Sequence, residues 1–94
     1  MSEPLLSFTS FVLSLVNTAA IHFGDLPDPA SGERGGVNLA GAVQMIEILA
    51  LLEQKTKGNL TAEERQILKQ VLYELRLRYV EARDQPDGKR IIEP

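Results

Sequence analysis

Apolar residues recur at helical spacing in three stretches of the chain. In the first, Phe8, Val12, Leu15, Val16, Ala19 and Phe23 fall on one face of an α-helix. The opposite face carries Ser7, Ser10, Ser14, Asn17 and Thr18, while Phe11, Leu13, Ala20 and Ile21 widen the apolar part. No Asp, Glu, Lys or Arg occurs from Leu5 to Phe23. The pattern predicts a helix from about Pro4 to Phe23, with Ser2 as its cap and Gly24 as its stop. Pro4 is tolerated in a first turn because its missing N–H needs no partner there.

Residues 24–38 break the pattern. The prolines of Asp25-Leu26-Pro27-Asp28-Pro29 each remove a donor and restrict the preceding residue, so no helix continues through them. Ala30 to Gly36 is rich in glycine, and the whole segment reads as a long connection, open to carrying function.

The second stretch starts at Asn38, a favourable N-cap, and runs from Leu39 to Lys57. Leu39, Ala42, Met45, Ile46, Leu49 and Leu52 form its main face. Val43, Ile48, Ala50 and Leu51 lie outside that face, so the helix is apolar over most of its girth, as befits a central element. Glu53 stands four residues before Lys57, the spacing of an ordinary exposed ion pair.

A corner follows in Lys55–Glu64. Gly58 can take the left-handed conformation that ends a helix. Thr61 and Glu64 have the spacing of a capping box, with Lys55 and Lys57 in the turn before it and Glu63 and Glu64 in the turn after it, each sign suited to its helix dipole. The third helix is predicted over Ala62–Arg83. Leu68, Leu72, Leu75, Tyr79 and Ala82 alternate four and three apart, a coiled-coil-like seam. Lys69, Arg76 and Arg83 flank the seam, and Glu63, Glu74 and Glu81 lie on the far face. Tyr73, Leu77 and Val80 form a second, smaller apolar patch opposite it. Two apolar faces need two partners: the second helix, and either the first helix or another chain.

Fold class is therefore all-α: one domain over residues 1–83, with the second and third helices as an antiparallel hairpin and the uncharged first helix packed on it or on another subunit. Residues 84–94 read as a flexible polar tail.

Composition narrows the function classes. A chain of 94 residues buries only about 60–65% of its unfolded surface and gains stability by associating. It has no cysteine, hence no disulfide framework and no thiolate metal site, a composition compatible with a cytoplasmic location. Ten basic against thirteen acidic residues give a net charge of -3, and no basic face for nucleic acid emerges.

Three roles can be drawn for the first segment. A signal peptide needs a basic start, and this chain has Glu3. A membrane span has about the right length, but hydroxyl and amide side chains dilute it. A helix buried on more than one side suits the small polar face, whose hydroxyls can bond back to their own carbonyls.

Chemistry is sparse. His22 is the one histidine; a metal site would need it together with Asp25 or Asp28 and further ligands. Ser14, His22 and Asp25 make a triad only on paper, with nothing to order it. Gly32, Gly35 and Gly36 match no phosphate-binding motif. No catalytic, cofactor or metal residues are assigned.

Three blocks resemble a known family. They are Phe8-Thr9-Ser10-Phe11-Val12-Leu13-Ser14-Leu15; His22-Phe23-Gly24 with Pro27-Asp28-Pro29; and Lys55-Thr56-Lys57-Gly58-Asn59-Leu60-Thr61 with Leu72-Tyr73-Glu74-Leu75-Arg76 and Arg78-Tyr79-Val80. Together they are similar to the small bacterial proteins grouped as "domain of unknown function 1844", over roughly Ser7 to Glu81. The resemblance implies a short, soluble, helical protein and no particular activity.

The function expected is a non-enzymatic, self-associating helical module. Phe8, Phe11, Val12, Leu15, Tyr73, Leu77 and Val80 are its candidate interface, and Gly58, Thr61 and Glu64 its structural corner. The partner expected is a further copy of the chain or an unidentified protein. Two alternatives are a membrane-peripheral protein anchored by Leu5–Phe23, and a small enzyme or metal protein around His22, Asp25 and Asp28. Gly41, in a first helical turn, costs about 0.5–1 kcal/mol against alanine unless it admits the first helix closely.

Overall fold

The computed structural model of the chain describes residues 6–33 and 35–84. Among them are three α-helices and no strand: α1 (Phe8–His22), α2 (Leu39–Lys55) and α3 (Ala62–Asp84). Class and helix order agree with the sequence pattern; several helix ends differ from it.

α1 begins at Phe8 rather than at Pro4. Ser7 is its N-cap, its hydroxyl accepting the Ser10 N–H at 3.0 Å while the Ser10 hydroxyl accepts the Ser7 N–H at 2.9 Å. This is a capping box with serine in the place usually held by Glu or Gln. Ser2, the cap expected from the pattern, lies outside the described residues. The other end comes at His22, one residue before the expected Phe23, with the expected stop at Gly24. Gly24 has φ +82°, its N–H donates to the Ile21 carbonyl, and the Asp25 N–H donates to that of Ala20. This paired closure needs a left-handed residue at the glycine.

α2 starts from Asn38, whose side-chain oxygen accepts the Gly41 N–H at 2.9 Å. It stops at Lys55, not Lys57. The Thr56 N–H and hydroxyl both reach the Leu52 carbonyl, and the Asn59 N–H closes on Thr56. Lys57 is thereby outside the helix, and the expected Glu53–Lys57 pair is absent from the ion pairs of the described residues. Gly58 turns the chain at φ +84°. Thr61 and Glu64 then form the predicted box, at 2.9 and 3.1 Å. α3 runs through Asp84, so of the proposed tail only that residue is described, as the last of the helix.

The Asn38 N–H donates to the His22 carbonyl at 2.6 Å, so α2 starts where α1 ends and runs back along it. The Gly58 corner reverses the chain again, and all three helix pairs are in contact. α1 and α3 therefore run the same way and α2 runs against both. The core between them holds Val12, Ala19 and Phe23 from one side, Ala42 and Leu49 from the second, and Leu68, Val71, Leu72, Leu75 and Ala82 from the third. No polar or charged residue among those described is buried. Ala19 and Ala42, both wholly buried, leave room for helices to approach closely.

On the outer face of α1 the hydroxyls of Ser10, Ser14 and Thr18 donate to the carbonyls of Ser7, Phe11 and Ser14. An uncharged face is thus satisfied locally. α1 has 15 residues, and no helix among those described is long and apolar enough to cross a membrane.

The Gly58 position isolates a backbone effect. A Cβ there would meet nothing within 4 Å, so Gly58→Ala is expected to lose about 1 kcal/mol from left-handed strain alone. Gly58→Asn should lose less. Urea unfolding followed by circular dichroism measures both, and equal stability of alanine and glycine would contradict the assignment.

Candidate interaction surface

α3 uses its circumference twice. Its inner line is Leu68, Leu72, Leu75 and Ala82, with Val71 beside it and Tyr79 half-buried against the core. At about 100° per residue, Tyr73, Leu77 and Val80 share the other side of the helix. They are 61, 49 and 41% exposed, so neither α1 nor α2 covers them. Exposed Lys69 and Arg76 border this stripe on one flank, and exposed Glu74 and Glu81 on the other.

The remaining interface candidates separate. Phe8 and Leu15 are half-buried and pack against the core. Val12 is 0% exposed and is corrected from interface to interior: the inward line of α1 is closed by its own α2 and α3. Phe11 and Leu13, one residue to either side of Val12, are exposed on opposite flanks of that line. Of these candidates, Tyr73, Leu77 and Val80 share one outward side of a single helix. Gly58, Thr61 and Glu64 build the corner assigned to them.

Near the end of α1 is a polar junction that the spacing of residues did not suggest. Arg78 donates through Nε to Asp25 Oδ2 at 2.8 Å and through NH2 to Oδ1 at 2.7 Å. Its guanidinium also lies 5.2 Å from the centroid of the buried Phe23 ring. The hydrogen bond to Asp25 is the main reason Arg78 holds its proton more tightly than usual; burial opposes this, and the charges of Asp25 and Glu81 add to it. Because the shift is upward, Arg78 keeps its charge throughout the ordinary pH range and loses it only in strong alkali; the pair also needs the Asp25 carboxylate ionised.

The candidate groups for chemistry have partners of their own. Asp25 holds Arg78, Asp28 Oδ1 accepts the Ala30 N–H at 2.9 Å, and the Ser14 hydroxyl donates to the Phe11 carbonyl. Among the described residues no three His, Cys, Asp or Glu are grouped to hold a metal ion. The His22 ring lies over Gly41: a Cβ at that position would sit 2.7 Å from His22 Nδ1 and 2.8 Å from Asn38 Nδ2. That explains glycine in the first turn of α2. A cleft of about 300 Å³ at the Gly58 corner is lined by Glu53, Thr56, Lys57, Leu60, Arg65 and Lys69.

Two stability outcomes follow. Arg78→Met is expected to cost about 1–2 kcal/mol and Asp25→Asn about 1 kcal/mol, with a coupling of about 1 kcal/mol between them in a double-mutant cycle; strictly additive losses would show that the pair contributes nothing. Gly41→Ala would stabilise an open helix by about 0.5–1 kcal/mol. Here it should destabilise, and His22→Ala should recover part of the loss, both read by urea unfolding.

The match to known families covers all of α1 and α2 and all but the last turn of α3. No curated protein and no solved structure matches the chain. The family model that matches, over residues 5–81, is described as Domain of unknown function (DUF1844), and the chain belongs to that family.

Proposed function

We propose that the protein is a non-enzymatic helical module that works by self-association. The observation that carries this is the outward stripe Tyr73, Leu77 and Val80, three large apolar side chains aligned on one helix and left open to water. Scattered apolar residues on a surface are ordinary, whereas an aligned group bordered by charge marks a contact surface. The hairpin of α2 and α3 holds the stripe on a rigid element, with the corner caps and the Arg78–Asp25 clamp fixing how α3 sits. Burying a large apolar side chain is worth about 1.5–3 kcal/mol. A stripe of this length supports a weak, reversible contact more readily than a permanent one. A cytoplasmic location belongs to the same proposal, on the strength of a cysteine-free composition.

Sedimentation velocity across a micromolar concentration series tests it. The full chain is expected to pass from monomer to oligomer as concentration rises. Leu77→Lys should hold it monomeric with its unfolding midpoint nearly unchanged, since the side chain is exposed. A clean monomer at high micromolar concentration would end the assignment.

A further inference from the structure

Resting on that self-association, we infer that the outer stripe of α3 meets the same stripe of a second copy, side by side and pointing the same way, as a short parallel coiled coil about a two-fold axis. Tyr73, Leu77 and Val80 are spaced four and three apart, the interval that keeps a seam facing a partner helix. Extending the interval makes Gln70, Leu77 and Asp84 the a positions and Gln66, Tyr73 and Val80 the d positions. The buried residues Leu68, Val71, Leu72, Leu75 and Ala82 then all fall at b, c or f. The protomer's own core therefore lies behind the seam and leaves its front open to a neighbour.

The flanking charges choose both the partner and its direction. The g positions are Lys69, Arg76 and Arg83, all basic; the e positions after Tyr73 and Val80 are Glu74 and Glu81, both acidic. In a parallel pair each g residue faces the e residue five places further along the other helix. Lys69 then meets Glu74 of the second copy and Arg76 meets Glu81 of the second copy, each pair occurring twice by symmetry. An antiparallel pair would set g against g and e against e, basic against basic and acidic against acidic. Charge thus favours one orientation and disfavours the other, the usual means by which such seams select partners.

The side chains are placed to do this. Lys69 and Arg76 enter no ion pair among the described residues. Glu74 accepts from Gln70 on its own helix, and Glu81 is 3.8 Å from Arg78; exposed contacts of this kind are weak and easily exchanged. Gln70 and Asp84 bracket the seam. Asp84 would approach its own counterpart, with Arg83 beside it at 3.2 Å to offset the repulsion. A seam with so few apolar layers is consistent with a reversible dimer. A lipid surface is the poorer fit, because Glu74 and Glu81 stand on one flank where membrane-surface helices carry lysine and arginine.

Charge reversal and cross-linking on the full-length chain test the geometry. Arg76→Glu alone and Glu81→Arg alone should each raise the dimer dissociation constant about tenfold, by turning two attractive pairs into two repulsive ones. An equimolar mixture of the two variants should associate about as tightly as the unaltered protein, because both pairs become attractive again between unlike chains. Since the chain has no cysteine, Gln70→Cys introduces a single thiol, which should oxidise rapidly to a disulfide-linked dimer in native buffer and slowly in denaturant. In an antiparallel seam centred on Leu77 the two thiols would stand at opposite ends and would not join. If the unaltered chain associates but the charge variants leave its dissociation constant unchanged, or Gln70→Cys fails to cross-link, this geometry is overturned while self-association stands. A monomer at every concentration removes both.

Discussion

A helix with no charged side chain along its length is stable in water only if its apolar line is covered, and the architecture follows from covering α1. Val12, Ala19 and Phe23 are turned inward. They need two neighbours because the apolar arc is too wide for one helix to close. α2 supplies Ala42 and Leu49, small and large in turn, and α3 supplies the leucine line Leu68, Leu72 and Leu75. α2 can serve in the middle because it too is apolar over most of its surface. α3 carries much of the charge and can face solvent.

Polar groups then fix what apolar packing leaves loose. Hydrophobic contact is non-directional; hydrogen bonds and caps are not. The closure at Gly24 ends α1 where Asp25 can reach Arg78, and the Asn38 N–H joins the two chain segments directly at the His22 carbonyl. The His22 ring fills the space that glycine leaves at position 41. At the other end, the Thr61–Glu64 box starts α3 as soon as Gly58 has turned the chain. Most of these devices sit at a helix end, where unpaired backbone groups need partners.

Much of the fold was legible because periodicity and caps are local properties. Three helices, the Gly24 stop, the Asn38 cap and the Gly58 corner follow from residues within a turn or two of one another. The helix ends that slipped did so where a nearby hydroxyl competed: Ser7 with Ser10 at the start of α1, and Thr56 with the Leu52 carbonyl at the end of α2. Val71 escaped because a strict four-and-three seam is narrower than the arc α3 actually buries. Val12 was assigned outward because spacing tells which residues share a face, not which body covers it. The Arg78–Asp25 clamp spans 53 residues of sequence and has no spacing signature, although Arg78 stands in one of the blocks carrying the family resemblance. The patch Tyr73, Leu77 and Val80 was legible as an excess, a second oily line on a helix that already had one.

That doubled line raises a problem of indexing. A rod greasy along two opposite sides can be laid into a trough either way up; the wider inner arc favours one seating, and polar contacts add direction to it. Rolling α3 through half a revolution would bring Tyr73, Leu77 and Val80 inside and turn the guanidinium of Arg78 away from the Asp25 carboxylate, forfeiting a fork of two charge-assisted bonds. The clamp therefore behaves as a keyway: modest in energy, yet a directional contact that the rolled seating would lose.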